Sequence, residues 1–125
     1  MSVPSQIPEA EFEIMRVVWN NPSPITTVQA YDLIGESKSW HFSTVKTLLR
    51  RLMTRGFLAA EKCGKELYYT ALVTQDEYIK VETDSFMEKF HKKSLHGLMC
   101  AMYADKKPSD EDLAEMEKWL KDCGE

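Results

Sequence analysis

Residues 43–56, Ser43-Thr-Val-Lys-Thr-Leu-Leu-Arg-Arg-Leu-Met-Thr-Arg-Gly56, decide the fold predicted for this chain. At 3.6 residues per turn, one side of a helix over this stretch is apolar and comprises Val45, Leu48, Leu49 and Leu52. The opposite side carries hydroxyl groups and cations without a carboxylate, on Ser43, Lys46, Thr47, Arg50 and Thr54. Such a face suits phosphate oxygens and base edges in a major groove, so we predict a DNA-recognition helix. The alternative is an ordinary solvated helix face.

Helical patterns precede this stretch, and a strand pattern follows it. The three predicted helices cover about residues 8–20, 26–35 and 43–55. After Gly56, residues 57–62 and 67–72 have the pattern of two strands joined by a short hairpin loop. Three helices and a hairpin predict a winged helix-turn-helix domain over residues 1–73, mainly α with a small β-hairpin wing.

Capping residues set the expected helix ends. Pro8 opens the first helix, Thr26 or Thr27 caps the second, and Gly35 ends the second helix. The inward-facing residues of the second helix are predicted to be Val28, Tyr31, Leu33 and Ile34. The cap of the recognition helix is expected to be Ser43 or Thr44.

Two lysines flank the predicted hairpin loop. Lys62 and Lys65 are expected at the tip of the wing, where they suit contact with phosphate or the minor groove. The alternative is an edge hairpin that lysine keeps soluble.

From Thr74 onward the pattern is helical to the end of the chain. Residues 74–125 predict three short amphipathic helices without a core of their own, which we interpret as a helical dimerisation arm. The residues expected at the dimer interface are Phe86, Phe90, Leu98, Met102, Leu113, Met116, Trp119 and Leu120. A hydrophobic ligand held by the Met-rich face is the alternative.

Charge is distributed unevenly along the chain. The formal net charge of -4 alone argues against a nucleic-acid partner. Residues 74–125 hold the acidic excess, with 8 Lys/Arg against 13 Asp/Glu. Residues 38–65, in contrast, contain seven cations and a single acid, Glu61. This local excess is the electrostatic footprint expected of a phosphate-binding surface.

Composition limits the remaining classes of function. No apolar run approaches the roughly 20 residues of a membrane span, and no signal-peptide pattern opens the chain, so we expect a cytoplasmic protein without membrane insertion. The three cysteines are widely spaced and predict reduced thiols rather than a disulfide framework. No cofactor or metal is expected, although a metal site of His96, Cys100 and Cys123 is an alternative. Residues 1–7 offer few core anchors.

A set of motifs extends over nearly the whole chain. They are Glu9-Ala-Glu-Phe-Glu-Ile-Met15, Val18-Trp19, Trp40, Thr44-Val-Lys-Thr-Leu-Leu-Arg-Arg-Leu52, Gly56-Phe57, Tyr68-Tyr69 and Leu72-Val73. This pattern resembles the penicillinase repressor family, which includes beta-lactamase, methicillin-resistance and copper-transport operon repressors. The resemblance implies a homodimeric winged-helix repressor on a palindromic double-stranded DNA operator. It also implies base and phosphate contacts from Ser43, Thr44, Lys46, Thr47, Arg50 and Arg51.

The chain departs from the family pattern in three places. His41-Phe42 follows Trp40, where family members often have Ser-Pro. The antibiotic-resistance repressors are cut by a membrane sensor protease at an Asn-Phe bond, and the matching position here is Ala101-Met102. The copper-responsive members carry a Cys-x-Cys-type tail, and this tail has Cys123 alone, which argues against copper sensing.

Two other classes of function compete with a repressor. One is a winged-helix protein-interaction module whose acidic C-terminal half binds a partner without specific DNA binding. The other is an enzyme, which is not expected, because no nucleophile, base and oxyanion donors occur at useful spacing.

Overall fold

The computed structural model describes residues 6–123, and the chain divides into two compact units, Met1–Ser85 and Phe86–Glu125. Among the described residues, no helix combines the length and the apolar character that crossing a membrane requires. The architecture is mainly α with a small antiparallel sheet, which confirms the predicted fold class.

The first helix, α1, spans Glu9–Trp19 and begins directly after Pro8. Proline suits this position because it needs no hydrogen-bond acceptor for a backbone N–H. Glu9 and Glu11 lie in the first turn, where the positive end of the helix dipole favours carboxylates. The inward side of α1 carries Ile14, Met15 and Val18, all buried.

A composite helical segment follows α1. A two-residue strand, β1 (Ile25–Thr26), leads into α2 (Thr27–Ala30), a π-helical turn (Tyr31–Gly35) and α3 (Glu36–Lys38). The Thr26 hydroxyl accepts a hydrogen bond from the Gln29 N–H at 3.1 Å, and the Gln29 side chain accepts one from the Thr26 N–H at 2.9 Å. This reciprocal capping box confirms Thr26 as the cap.

The predicted end of this segment at Gly35 was wrong. Gly35 is right-handed helical, with φ -55°, and the helix continues to Lys38, where Ser39 adopts the left-handed conformation at φ 58°. A glycine is needed at position 35 for another reason, since a Cβ there would lie 2.6 Å from a ring carbon of Tyr31. The predicted inward positions of Val28 and Leu33 were also wrong, because Ala30 and Ile34 occupy the buried side.

Helix α4 spans Phe42–Thr54 and is the predicted recognition helix. It starts one residue earlier than expected, and the predicted cap at Ser43 or Thr44 was wrong: His41 occupies the N-cap position without a side-chain hydrogen bond. Its apolar side is buried as predicted, and comprises Val45, Leu48, Leu49 and Leu52. Gly56, at φ 86°, lets the chain turn after the helix.

The wing is an antiparallel hairpin of β2 (Leu58–Cys63) and β3 (Glu66–Ala71). Gly64 and Lys65 form its two-residue turn, in which Gly64 takes φ 67°. Strand β1 adds to the free side of β3, with Ile25 opposite Tyr69, so the strand order is β1-β3-β2.

The core of the first unit joins all these elements. Its largest fully buried side chains include Tyr69, Phe57, Ile14 and Leu49. The Trp19 indole N–H donates to the Val73 carbonyl at 2.9 Å, which ties the end of α1 to the segment that follows the wing.

Helix α5 spans Gln75–His91, and its first turns belong to this core. Tyr78 is buried, and its hydroxyl accepts a hydrogen bond from the Ile7 N–H at 3.2 Å. The unit boundary therefore falls after Ser85, whereas the sequence placed it after Val73. Ile7 is also buried, so the prediction of few anchors over residues 1–7 was wrong at this residue, while residues 1–5 lie outside the described range.

In the second unit, α6 spans Leu95–Met102 and α7 spans Asp110–Cys123. Ser94 caps α6 by accepting a hydrogen bond from the Gly97 N–H at 3.0 Å. Ser109 accepts one from the Asp112 N–H at 3.1 Å at the start of α7. The three predicted C-terminal helices are thus present, and no described residue of α6 or α7 is buried.

Candidate nucleic-acid interface

The outer face of α4 lies opposite its buried leucines. Four side chains of this helix that were predicted to contact bases, Ser43, Lys46, Thr47 and Arg50, are exposed, as is Arg51. Thr44 is half-buried. Because α4 contains no acidic residue, this face carries only hydroxyl, ammonium and guanidinium groups as polar side chains.

Two cations of the predicted footprint are engaged with α1. The Lys38 ammonium lies 3.8 Å from a Glu13 carboxylate oxygen, and Arg55 Nε lies 2.6 Å from Glu11 Oε1. The sequence count missed these pairs because both carboxylates lie far away along the chain. Among the described residues, the ion pairs leave the predicted contact cations free, namely Lys46, Arg50, Arg51, Lys62 and Lys65.

The pair of Glu11 and Arg55 positions the recognition helix. Glu11 is only 1% exposed, so its carboxylate needs a compensating partner. Arg55, directly after the last turn of α4, supplies it with a charge-assisted hydrogen bond. The sequence held one signal for this burial: Glu11 lies three and four residues before Ile14 and Met15, at the spacing of the inward side of α1.

The wing brings one of its two predicted lysines to α4. Lys65 and Lys46 line the same groove, of about 260 Å³, between the turn of the wing and the start of α4. Lys62 is exposed on β2, opposite Leu67, and does not line this groove. Glu66 also lines the groove, and its negative charge raises the pKa of the neighbouring Tyr68 above the ordinary value.

Apolar side chains on this groove were missed by the sequence analysis. Phe42 is 43% exposed, Val28 is 47% exposed and Leu67 is 36% exposed, and all three line the groove. The rings of Phe42 and Tyr31 pack in a T-shaped arrangement, with 5.6 Å between ring centroids. The signal in the sequence was an aromatic residue directly before the polar face of the recognition helix.

The predicted dimerisation residues lie in the second unit, and most of them are exposed. The exposed members are Phe86, Phe90, Met102, Leu113, Trp119 and Leu120. Leu98 and Met116 are half-buried. Leu95, 52% exposed, belongs with them and was not predicted. Ala101 and Met102, the candidate cleavage position, are exposed in the last turn of α6.

The cysteines are free and exposed, and two candidate metal ligands are neighbours. His96 Nε2 lies 3.5 Å from Cys100 Sγ, one helical turn away on α6. In the described part of the chain, no three His, Cys, Asp or Glu side chains are grouped closely enough to hold a metal ion, so Cys123 does not complete the alternative site.

The helices, the wing and the outer face of α4 together define a winged helix-turn-helix protein, a class whose second motif helix is the recognition helix. The chain belongs to the penicillinase repressor family, whose sequence profile matches residues 7–122. Members of this family are transcriptional repressors and not enzymes.

Individual relatives agree with this assignment. The penicillinase repressor of Bacillus licheniformis is 29% identical over 117 residues, which cover 94% of this chain and 91% of the relative. The methicillin resistance regulatory protein MecI of Staphylococcus aureus is 25% identical over 118 residues, covering 92% and 93%. The solution structure of monomeric Bacillus licheniformis BlaI in complex with the blaP half-operator matches with a TM-score of 0.52 and 32% identity, over 62% of this chain and 92% of that one.

Proposed function

We propose that this protein is a cytoplasmic homodimeric repressor whose α4 enters the major groove of a palindromic operator. The observation that carries the proposal is the exposed outer face of α4, which holds Lys46, Thr47 and Arg50 and lacks any carboxylate. Blocking of transcription then follows from occupancy of the operator.

The contacts divide into two kinds. Arg50 and Lys46 suit the O6 and N7 acceptors of guanine, and the hydroxyls of Ser43 and Thr47 suit either donors or acceptors on base edges. Phosphate contacts, which fix the register on the duplex, fall to the flanking side chains. These are Thr44 and Arg51 on α4 and Lys62 and Lys65 on the wing.

The groove between wing and helix supports this division. Lys65 reaches the same groove as Lys46, so a duplex held against α4 also lies within reach of the turn of the wing. The BlaI relative is described as a monomer on a half-operator, which supports one copy of the fold on each half of a palindrome.

The second unit supports a dimer. Its described helices expose large apolar side chains such as Phe90, Met102 and Trp119, and α6 and α7 bury none of their own. Exposed apolar surface of this extent marks an interaction site, and a second copy offers an identical surface. Two linked recognition helices also bind one palindrome more tightly than either binds alone.

The test begins with selection of bound duplexes from a random-sequence library by the full-length protein, followed by titration at several salt concentrations. We expect a palindrome to be enriched and log K to fall with log salt by about 0.9 per phosphate contacted. Arg50→Ala should change which sequence is preferred, whereas Lys65→Ala should weaken all sequences about equally.

Lys80→Ala is the matched control, because this cation lies on α5 and pairs with Asp84 at 3.1 Å. Its affinity for the selected duplex should equal that of the wild type. Enrichment of no palindrome, with weak and sequence-independent binding, would overturn the proposal and favour a protein-interaction module.

Release of the operator by proteolysis is a separate part of the proposal. Ala101 and Met102 occupy the last turn of α6 and are exposed, so unwinding that one turn presents their peptide bond to a membrane sensor protease. The check is the intact mass of repressor recovered from derepressed cells: fragments ending at Ala101 support cleavage there, and an undivided chain contradicts it.

A further inference from the structure

The groove between the wing and the first turn of α4 has an apolar wall. Phe42 and Val28, each more than two fifths exposed, line this wall, and Leu67 lines it from the wing side. Exposed large apolar side chains that meet in one groove mark a place where an apolar group binds.

Phe42 is held in place at this wall. It is the first residue of α4, and its ring forms a T-shaped pair with the Tyr31 ring at an interplanar angle of 75°. Lys46 follows one helical turn later on the same side of α4 and lines the same groove. A duplex that reaches Lys46 therefore lies next to the exposed part of the Phe42 ring.

The charge around this wall indicates its occupant. Lys46 and Lys65 flank the apolar side chains, and Glu66 is the single carboxylate among the residues that line the groove. Two cations around an apolar surface fit DNA, which offers base-edge acceptors to Lys46 and phosphate oxygens to Lys65. The apolar group that DNA presents in its major groove is the 5-methyl group of thymine, and Phe is a side chain that contacts it.

We propose that Phe42 is a specificity-determining residue that recognises the 5-methyl group of a thymine in each half-operator. The proposal rests on the proposed function, because it requires α4 in the major groove. Phe42 selects thymine over cytosine and over uracil by burying the methyl group against its ring, with Val28 as the second contact.

Uracil tests this directly, since it differs from thymine in DNA only by the missing methyl group. The probe is the duplex that the wild-type protein selects from the random library, with each thymine of one half-site replaced in turn by deoxyuridine. At one position we expect wild-type affinity to fall about fourfold, the value of one buried methyl-sized group. Phe42→Ala should bind the thymine and uracil duplexes equally.

Two further variants keep the test interpretable. Phe42→Leu retains an apolar side chain and should retain at least half of the preference for thymine on a logarithmic scale. Leu33→Ala removes a similarly exposed apolar side chain, 51% exposed, that does not line this groove, and should leave the preference unchanged.

The outcomes separate this inference from the proposed function. A wild-type protein that selects a palindrome but tolerates uracil at every position overturns the role of Phe42 and leaves the repressor intact. Equal uracil sensitivity in Phe42→Ala and wild type overturns it as well. Failure to select any sequence overturns the proposed function itself.

Discussion

The two units of this chain differ in how they bury apolar surface. Every buried apolar side chain in the described residues lies in the first unit, from Ile7 to Tyr78. Helices α6 and α7 of the second unit bury none, although they carry Trp119 and several leucines. A stretch of about 40 residues cannot build an adequate core unaided. The first unit thus has a core of its own, and we expect the stability of the second unit to depend on the surface that covers its apolar side chains.

The largest effect should come from the core of the first unit. Leu49 is completely buried on α4, and Leu49→Ala should lower the free energy of unfolding by about 2–5 kcal/mol, because it removes buried methyl groups and leaves a cavity. Urea denaturation should show this loss at every protein concentration. Leu33→Ala, at a half-exposed site, should cost less than about 0.5 kcal/mol, and equal costs would contradict the division into core and surface.

The ion pair between the buried Glu11 and the partly exposed Arg55 should rank second. Arg55→Ala leaves the Glu11 carboxylate buried without its partner and should cost about 3 kcal/mol of unfolding free energy. The matched control is Arg51→Ala, an exposed arginine one turn earlier, which should leave the unfolding free energy within about 0.5 kcal/mol and lower DNA affinity instead. Similar stability losses in both variants would show that the ion pair has no special role.

Substitutions in the second unit should weaken dimerisation rather than lower the unfolding free energy of the single chain. Trp119 is 58% exposed, and Trp119→Ala should weaken dimerisation by about 2 kcal/mol, roughly 30-fold, if it is a central interface residue. Sedimentation equilibrium measures the shift, and Lys118→Ala on the same helix is the control. An unchanged monomer–dimer equilibrium in Trp119→Ala would remove this residue from the interface.

The smallest effect should be a pH dependence at the start of α5. The Thr74 backbone N–H, 2.9 Å from Glu77 Oε1, and the Thr74 side chain together lower the pKa of Glu77 below its ordinary value. A lowered folded-state pKa stabilises the protein above the ordinary glutamate pKa of about 4.3, and this contribution is lost as pH falls through the lowered value.

Glu77→Gln isolates this contribution, because glutamine keeps the accepting oxygen but does not titrate. Between pH 5 and pH 3, roughly the range in which glutamate titrates, the melting temperature of the wild type should fall more than that of Glu77→Gln. Parallel pH profiles of the two melting temperatures would show that Glu77 makes no such contribution in this range.

Local patterns predicted most of the helices and the two faces of α4. The period of Val45, Leu48, Leu49 and Leu52 sets the buried side regardless of the rest of the chain, and Gly64 indicates the turn of the wing. Periodicity and side-chain chemistry predicted the outer-face residues Ser43, Lys46, Thr47 and Arg50, and the family resemblance added Thr44 and Arg51. The roles of all six at DNA stay predictions.

The parts that were missed depend on distant residues. Strand β1 has two residues and exists because Ile25 pairs with Tyr69, more than forty positions away. The π-helical turn before α3 places the Tyr31 ring close to Gly35. Sequence periodicity does not reveal this contact. Pairing of Arg55 with Glu11 likewise becomes visible only when α1 and α4 pack together.

The separation of the two faces of α4 has a consequence for how such proteins diversify. Exchanges at Lys46, Thr47 or Arg50 leave the buried leucines untouched. With the base contacts proposed for these residues, a gene duplicate can acquire a new target sequence at almost no cost in folding. Phe42 is the exception, because it is exposed to the groove and also packs on Tyr31. With the role proposed for Phe42, drift at that position changes target choice and local packing together, and should therefore be slower.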